Sequence, residues 1–239
     1  MDAYKQTNKL FELISIGLAV AITKTIADWL STTPFIQNNI ALTWIVSIIL
    51  VVLLNETLSF IFQASYEKFK FLRQLVLGNQ FVEGTWIEFV TQDEKINSIG
   101  IANISSNGYE LKIDGHNFDL KGNLTYAFSS TANMSRIEWP VFRYVYEDWP
   151  LKGVKDTIEG VGYIKFGPTG GRPTMYAGGF THIGIGVIIG IEGRLITDKN
   201  ELIALNTPTE MRKALKKYLM QRLQETDDSI SLYQGDADN

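Results

Sequence analysis

Hydrophobic positions along this chain change their period twice. The run IALTWIVSIILVVLL opens at Ile40 and carries no charge. Extended to Phe62 it covers 23 residues, about 34 Å as a helix against a bilayer core of about 30 Å. That length predicts a membrane span, with a buried soluble helix as the alternative. The segment Leu10 to Leu30 is a weaker span that carries Glu12, Lys24 and Asp28. It has no small-residue cleavage site and a second span follows directly, so a signal peptide fits less well. From Phe81 the period falls to two. Nine short runs, from VEGTWIEFV to VIIGIEGRLIT, read as strands separated by turn signals such as QDEK, SSNG, DG and GPTGGRP. No helical segment lies between them, which leaves no room for parallel crossovers. The prediction is an antiparallel meander closed into a small barrel of about eight strands, since closure removes edges. The period becomes helical again over NTPTEMRKALKKYLMQRLQE, Asn206 to Glu225. Thr207 and Glu210 suit a capping box and Pro208 the first helical position. Met211, Leu215, Leu219 and Leu223 form one stripe expected to pack on the barrel.

The fold class is thus a membrane-anchored all-β protein with an N-terminal two-helix hairpin, a barrel and a C-terminal helix. The expected divisions are a short N-terminus (1–9), a transmembrane hairpin (10–64), a basic juxtamembrane linker (65–80), a barrel (81–206), and a C-terminal helix with an acidic, mobile tail (207–239). STTPFIQNN, at 31–39, has no charge and suits a tight exterior turn. Lys5 and Lys9 precede the first span, and Lys68, Lys70 and Arg73 follow the second. By the positive-inside rule both termini face the cytosol. Gly17, Ala21, Lys24 and Asp28 fall on one helical stripe. Its small pair suits close helix contact, either within the hairpin or between chains. Asn55 and Glu56 interrupt the second span. A carboxylate costs roughly 2.5 kcal/mol or more at mid-bilayer, so these two residues are candidates for assembly between hairpins, or are tolerated near the membrane edge.

Charge and composition narrow the chemistry. The net charge of −4 gives no global basic field for long nucleic acid. Without cysteine there are no disulfides or thiolate metal sites. His116 and His182 stand alone in the sequence and read as strand residues, so no metal site and no cofactor are expected. No nucleophile elbow or paired-carboxylate motif appears, and the expectation is a non-enzyme. The barrel is instead rich in aromatic hydroxyls and guanidinium groups. Tyr109, Tyr126, Arg136, Arg143, Tyr144, Tyr163, Arg172 and Tyr176 are candidate ligand contacts, because rings stack on bases while hydroxyls and arginines hold phosphates. Gly84 to Trp86 on the first strand and Gly193 to Leu195 on the last resemble the calycin pattern of lipocalins. There a tryptophan plugs the closed end and an arginine stacks across it. Trp86 and Arg194 are therefore expected to form a structural plug.

The order of parts resembles one family. A two-span hairpin and a basic stretch, followed by GTWIEFV, GYELKIDG, GVGYIKF, GGF and GRL, look like the two-transmembrane β-barrel effectors of CBASS anti-phage systems, the Cap-fifteen type associated with CD-NTase enzymes. The resemblance spans roughly residues 10 to 205. It implies a barrel that binds a cyclic dinucleotide, self-association into oligomers, disruption of the lipid bilayer and cell death. The rival expectation is a membrane-tethered calycin for a lipid or other apolar ligand. A third is a constitutive scaffold with a filled barrel.

Overall fold

The computed structural model describes residues 3–30, 32, 40–93, 95–106, 110–131, 134–150, 157–168 and 170–235. Two compact units meet in sequence at Gly78 and Asn79. The first holds helices α1 (Ala3–Leu30), α2 (Ile40–Lys68) and α3 (Lys70–Leu77). The second holds strands β1 (Gly84–Gln92), β2 (Lys95–Ser106), β3 (Leu111–Asp119), β4 (Leu124–Ser130), β5 (Arg136–Glu138), β6 (Val141–Pro150), β7 (Ile158–Gly167), β8 (Met175–His182) and β9 (Ile189–Leu195). Helices α4 (Lys199–Ala204) and α5 (Pro208–Gly235) follow. The turn expected at 31–39, apart from Thr32, and Tyr109 lie outside the described residues.

Two helices are long and apolar enough to cross a membrane, over Lys9–Trp29 and Trp44–Lys68. They pack as an antiparallel pair. Phe11 stacks on Phe62 at 5.9 Å between centroids, and one turn later Ser15 Oγ donates to Asn55 Oδ1 at 2.9 Å and lies 2.8 Å from Ser59 Oγ. Asn55 thus accepts a hydrogen bond within its own hairpin. Polar side chains in an apolar pair find each other because nothing else there satisfies them. The buried face of α1 is Ser15, Ala19 and Thr23. Gly17 and Ala21 are exposed, and a Cβ at Gly17 would meet nothing within 4 Å. The small pair therefore takes no part in the intramolecular packing. Glu56 is also exposed. The outward faces of both helices are apolar almost throughout, with Leu13, Trp44, Ile48 and Phe60 each at least 60 % exposed.

The expected linker at 65–80 is largely helical. Phe69 adopts φ −104° and ψ 106°, which ends α2 and starts α3. Arg73 folds back so that its Nη1 donates to the carbonyls of Tyr66 at 3.0 Å and Glu67 at 2.6 Å. A guanidinium there satisfies carbonyls that the helix end leaves unpaired and complements its dipole.

In the second unit eight strands close into an antiparallel barrel, β4 joining β6 to complete the circle, while β5 is a three-residue flap on β6. The strand count predicted from the sequence holds, but two boundaries move. The Asp114–Gly115 pair, expected to turn, continues as β3, and the chain reverses instead at 120–123, where Asp119 accepts from the amides of Lys121 and Asn123. The run SRIEWPVFRYVY, expected as one strand, breaks at Trp139–Pro140 into β5 and β6.

Register assigns the faces. Trp86, Glu88 and Val90 of β1 point inward, opposite Ala102, Gly100 and Ser98 of β2 and opposite Leu195, Gly193 and Ile191 of β9. Ile87 and Phe89 point outward yet are buried, because Leu215 of α5 packs on them with Ile99 and Phe118. That is why β1 is buried on five consecutive residues instead of alternating. Met211 and Leu219 join this cluster, whereas Leu223 is 43 % exposed and does not. Helix α5 runs to Gly235, ten residues past the predicted end, and α4, capped by Asp198, was not expected. Glu210, expected in a capping box, takes Lys213 Nζ at 2.7 Å.

Candidate functional site

The barrel lumen is built by tyrosines seated over glycines. A Cβ at Gly160 would lie 2.2 Å from the Tyr146 ring, at Gly162 2.6 Å from Tyr144, and at Gly193 2.1 Å from Tyr176. Only a hydrogen fits beneath each ring. The glycine motifs GVGYIKF and GRL thus have a packing reason: they admit three large rings into a narrow barrel. Phe142 stacks on Tyr144 at 5.5 Å, and Tyr146 meets Phe180 edge-on at 5.7 Å.

One end is closed. Phe81, Val82 and Trp86 are wholly buried there. Trp86 lies 5.0 Å from Tyr176 and 5.9 Å from Phe166, and its Nε1 donates to Val82 O at 3.2 Å. The arginine stacked at this end is Arg172, over the Phe81 ring at 5.1 Å and donating to Glu83 O at 3.0 Å. Arg194 does not reach Trp86. Its register partner is Ile87, so it faces outward, over Phe89 at 5.8 Å and bonded through Nη1 to Glu225 at 2.8 Å. The plug expected of Trp86 and Arg194 is made by Trp86 without Arg194.

The remaining sequence candidates separate. Tyr126, Tyr144 and Tyr176 face the lumen. Arg143 and Tyr163 are on the outer wall and line an open groove of ≈ 330 Å³ with Met134, Val145, Val161 and Ile188. Arg136 is on β5, paired with Glu138 at 2.8 Å, and Arg143 shares that carboxylate at 3.1 Å. No arginine or lysine faces the lumen among the described residues. The arginine and tyrosine set inferred from composition is therefore not one site.

What the lumen does hold is acid. Glu88, Asn117 and Asp148 are each at most 4 % exposed and line one cavity with Tyr126, Phe128, Tyr144, Tyr146 and Phe180. Free space among them is ≈ 20 Å³, room for about one water. The Tyr176 hydroxyl donates to Glu88 Oε1 in a short bond, and Asn117 Nδ2 donates to the Tyr126 hydroxyl in another. Burial pushes the Glu88 carboxyl up to about 7, only partly offset by the Tyr176 bond, and pushes Asp148 up to about 7 as well. Both acids thus hold their protons more readily than exposed carboxyls do. Burial also raises the Tyr126, Tyr144 and Tyr176 hydroxyls, with the nearby carboxylates adding to it, so all three remain neutral donors. His182 is not isolated. Its Nδ1 is 3.2 Å from the Tyr146 hydroxyl and 3.7 Å from Asp148 Oδ2, and burial lowers its pKa toward the neutral ring. His116 stays exposed on the outer face of β3.

Sequence reasoning counted Tyr146 among the barrel's tyrosines but missed Glu88, Asn117, Asp148 and His182. A signal for two of them existed: TWIEFV and VYEDWP each set a carboxylate into an apolar strand at a lumen-facing step. No protein-family model matches the chain, and no curated protein or solved structure matches it either.

Proposed function

We propose that this chain is a membrane-tethered receptor whose barrel takes the base of a small nucleotide ligand into its lumen and whose hairpin carries the response into a bilayer. The observation that carries the reading is the lumen itself, in which tyrosine rings flank a buried polar group of Glu88, Asn117, Tyr126 and Asp148. Flat rings favour a flat heteroaromatic partner, and buried acids favour one that offers N–H donors. A cyclic dinucleotide fits on one condition. Its phosphates stay outside, because two acids and no lumenal cation among the described residues repel them. Rings and acids select the base, and sugar and phosphates stay outside the lumen. A fatty-acid carrier fits less well, since an acyl chain needs apolar volume and gains nothing from buried carboxyls.

The response side rests on the exposed apolar faces of α1 and α2 and on Glu56, which points away from the hairpin partner. In a lone hairpin Glu56 faces lipid. In a cluster it faces other hairpins or water, so clustering relieves its desolvation cost. The exposed Gly17–Ala21 stripe offers close approach for such a cluster. The effector reading implied by the CBASS resemblance, anti-phage defence through membrane disruption and cell death, belongs to this proposal.

The test is the full-length protein in liposomes loaded with a self-quenched dye. Cyclic dinucleotides at micromolar concentration are expected to raise its melting temperature and release dye, and Glu56→Leu to keep binding while releasing less. Thermal stabilisation by fatty acids alone would overturn the receptor reading. Binding without any leakage would overturn the effector half.

A further inference from the structure

One lumenal acceptor, Asp148 Oδ1, has no hydrogen-bond partner among the described residues. Asp148 is 3 % exposed, and its Oδ1 is enclosed without a hydrogen bond. Its Oδ2 is 3.7 Å from His182 Nδ1, beyond hydrogen-bonding distance. The imidazole is engaged elsewhere, with the Tyr146 hydroxyl at 3.2 Å. A buried carboxylate with both oxygens unengaged is costly unless a donor arrives from outside. The hydroxyls of Tyr126, Tyr144 and Tyr146 line the same cavity, and none of them bonds Asp148. Asn117 is committed through Nδ2 to Tyr126 and through Oδ1 to the Phe118 amide.

On the reading of the barrel as a receptor for a base-bearing ligand, we propose that Asp148 receives a planar ligand edge carrying two parallel N–H donors. A guanine Watson–Crick edge has this form, and so does a guanidinium or amidinium cation. Two free oxygens on one carboxylate match such a fork, the geometry of bidentate charge-assisted pairs. Glu88 lines the same cavity and adds a second acid that favours donors over lone pairs. An adenine edge places its N1 lone pair toward the carboxylates and is disfavoured there. The free space of ≈ 20 Å³ holds about one water, so the edge enters only by parting the surrounding rings, and sugar and phosphate stay outside the acids.

The experiment titrates the full-length protein in lipid nanodiscs with cyclic di-GMP, cyclic di-IMP and cyclic di-AMP, and separately with guanidinium chloride against sodium chloride at about 10 mM. Hypoxanthine keeps the ring N–H and lacks the exocyclic amine. Affinity is expected to fall about tenfold from guanine to hypoxanthine and further to adenine. Asp148→Asn, which presents one acceptor and one donor, is expected to erase the order. The order is read on the parent protein, so it stands even where that variant folds poorly. Equal affinity for the three dinucleotides overturns the fork and leaves the receptor reading intact, as does an unchanged order in Asp148→Asn. A guanidinium-specific rise in melting temperature that Asp148→Asn abolishes, with no dinucleotide bound, keeps the fork, assigns it to a small cation and overturns the nucleotide reading. Silence toward every probe overturns both.

Discussion

Glu88 destabilises the state in which it is charged, and that has a measurable consequence. Its folded carboxyl is raised from 4.5 to about 7. A raised acid binds more protons folded than unfolded between those values, so its contribution is full below pH 4.5 and is lost as pH rises to about 7. A shift of this size corresponds to about 3 kcal/mol. Asp148, also raised to about 7, acts in the same direction. Glu88→Gln keeps an acceptor for the Tyr176 hydroxyl and removes the charge. The variant is expected to match the parent near pH 4.5, to exceed its melting temperature at pH 8, and to show a flatter profile between. Parallel parent and variant curves from pH 4.5 to 8 would remove Glu88 as the source. At this scale the sequence was half legible. It displayed the tyrosines, and Tyr126, Tyr144 and Tyr176 do face inward. It could not display their partners, because a one-residue step in register sends a side chain to the opposite face. Tyr163 and Tyr144 illustrate this: the facing partner of Tyr144 is Gly162, one residue before Tyr163.

Elements were more legible than residues because periodicity survives small boundary errors. The two apolar helices, the meander and the start of α5 at Pro208 follow from pattern alone. The antiparallel register of the hairpin follows too: counting inward from Leu10 and from Phe62 sets Glu56 beside Ile16 and Gly17, and the structure pairs the adjacent Asn55 with Ser15. The failures share a cause. Asp114–Gly115 has turn chemistry, but Gly115 is needed as a seat, since a Cβ there would lie 2.5 Å from the Phe128 ring. Tertiary packing overrode a local signal. The stripe of α5 was legible as a stripe but not in its extent. Leu215 is 2 % exposed within the cluster of Ile87, Phe89 and Phe118, whereas Leu223 is 43 % exposed. Past Leu219 the contact becomes ionic, with Arg222 on Glu192 at 2.7 Å and Arg194 on Glu225. Leu215→Ala should therefore lose about 2–5 kcal/mol in chemical denaturation, and Leu223→Ala under about 0.5 kcal/mol. Equal losses at the two positions would mean that α5 packs on the barrel along its whole apolar stripe.

For the whole molecule, two spans of similar length return the chain to the side it started from, so both termini share a compartment if both helices cross. Which compartment depends on the flanking cations. Lys9 opens the first span, and Lys68, Lys70 and Arg73 stand at and after the end of the second. Arg73 does more than bias orientation, because it caps the last carbonyls of α2. Its charge is held at the end of the span by geometry as well as by the cost of burying it. Substituting Arg73 alone would therefore confound topology with helix stability, and the lysines are the cleaner lever. With the parent sequence, a reporter fused after Asn239 is expected to be active when it is a cytosolic type and silent when it is a periplasmic type. Changing Lys68 and Lys70 to glutamine while adding three lysines within residues 31–39 is expected to weaken or invert that pattern. Periplasmic activity from the parent fusion would place the barrel, and its acid-lined lumen, away from any ligand made in the cytosol, and the receptor reading would then need an extracellular ligand.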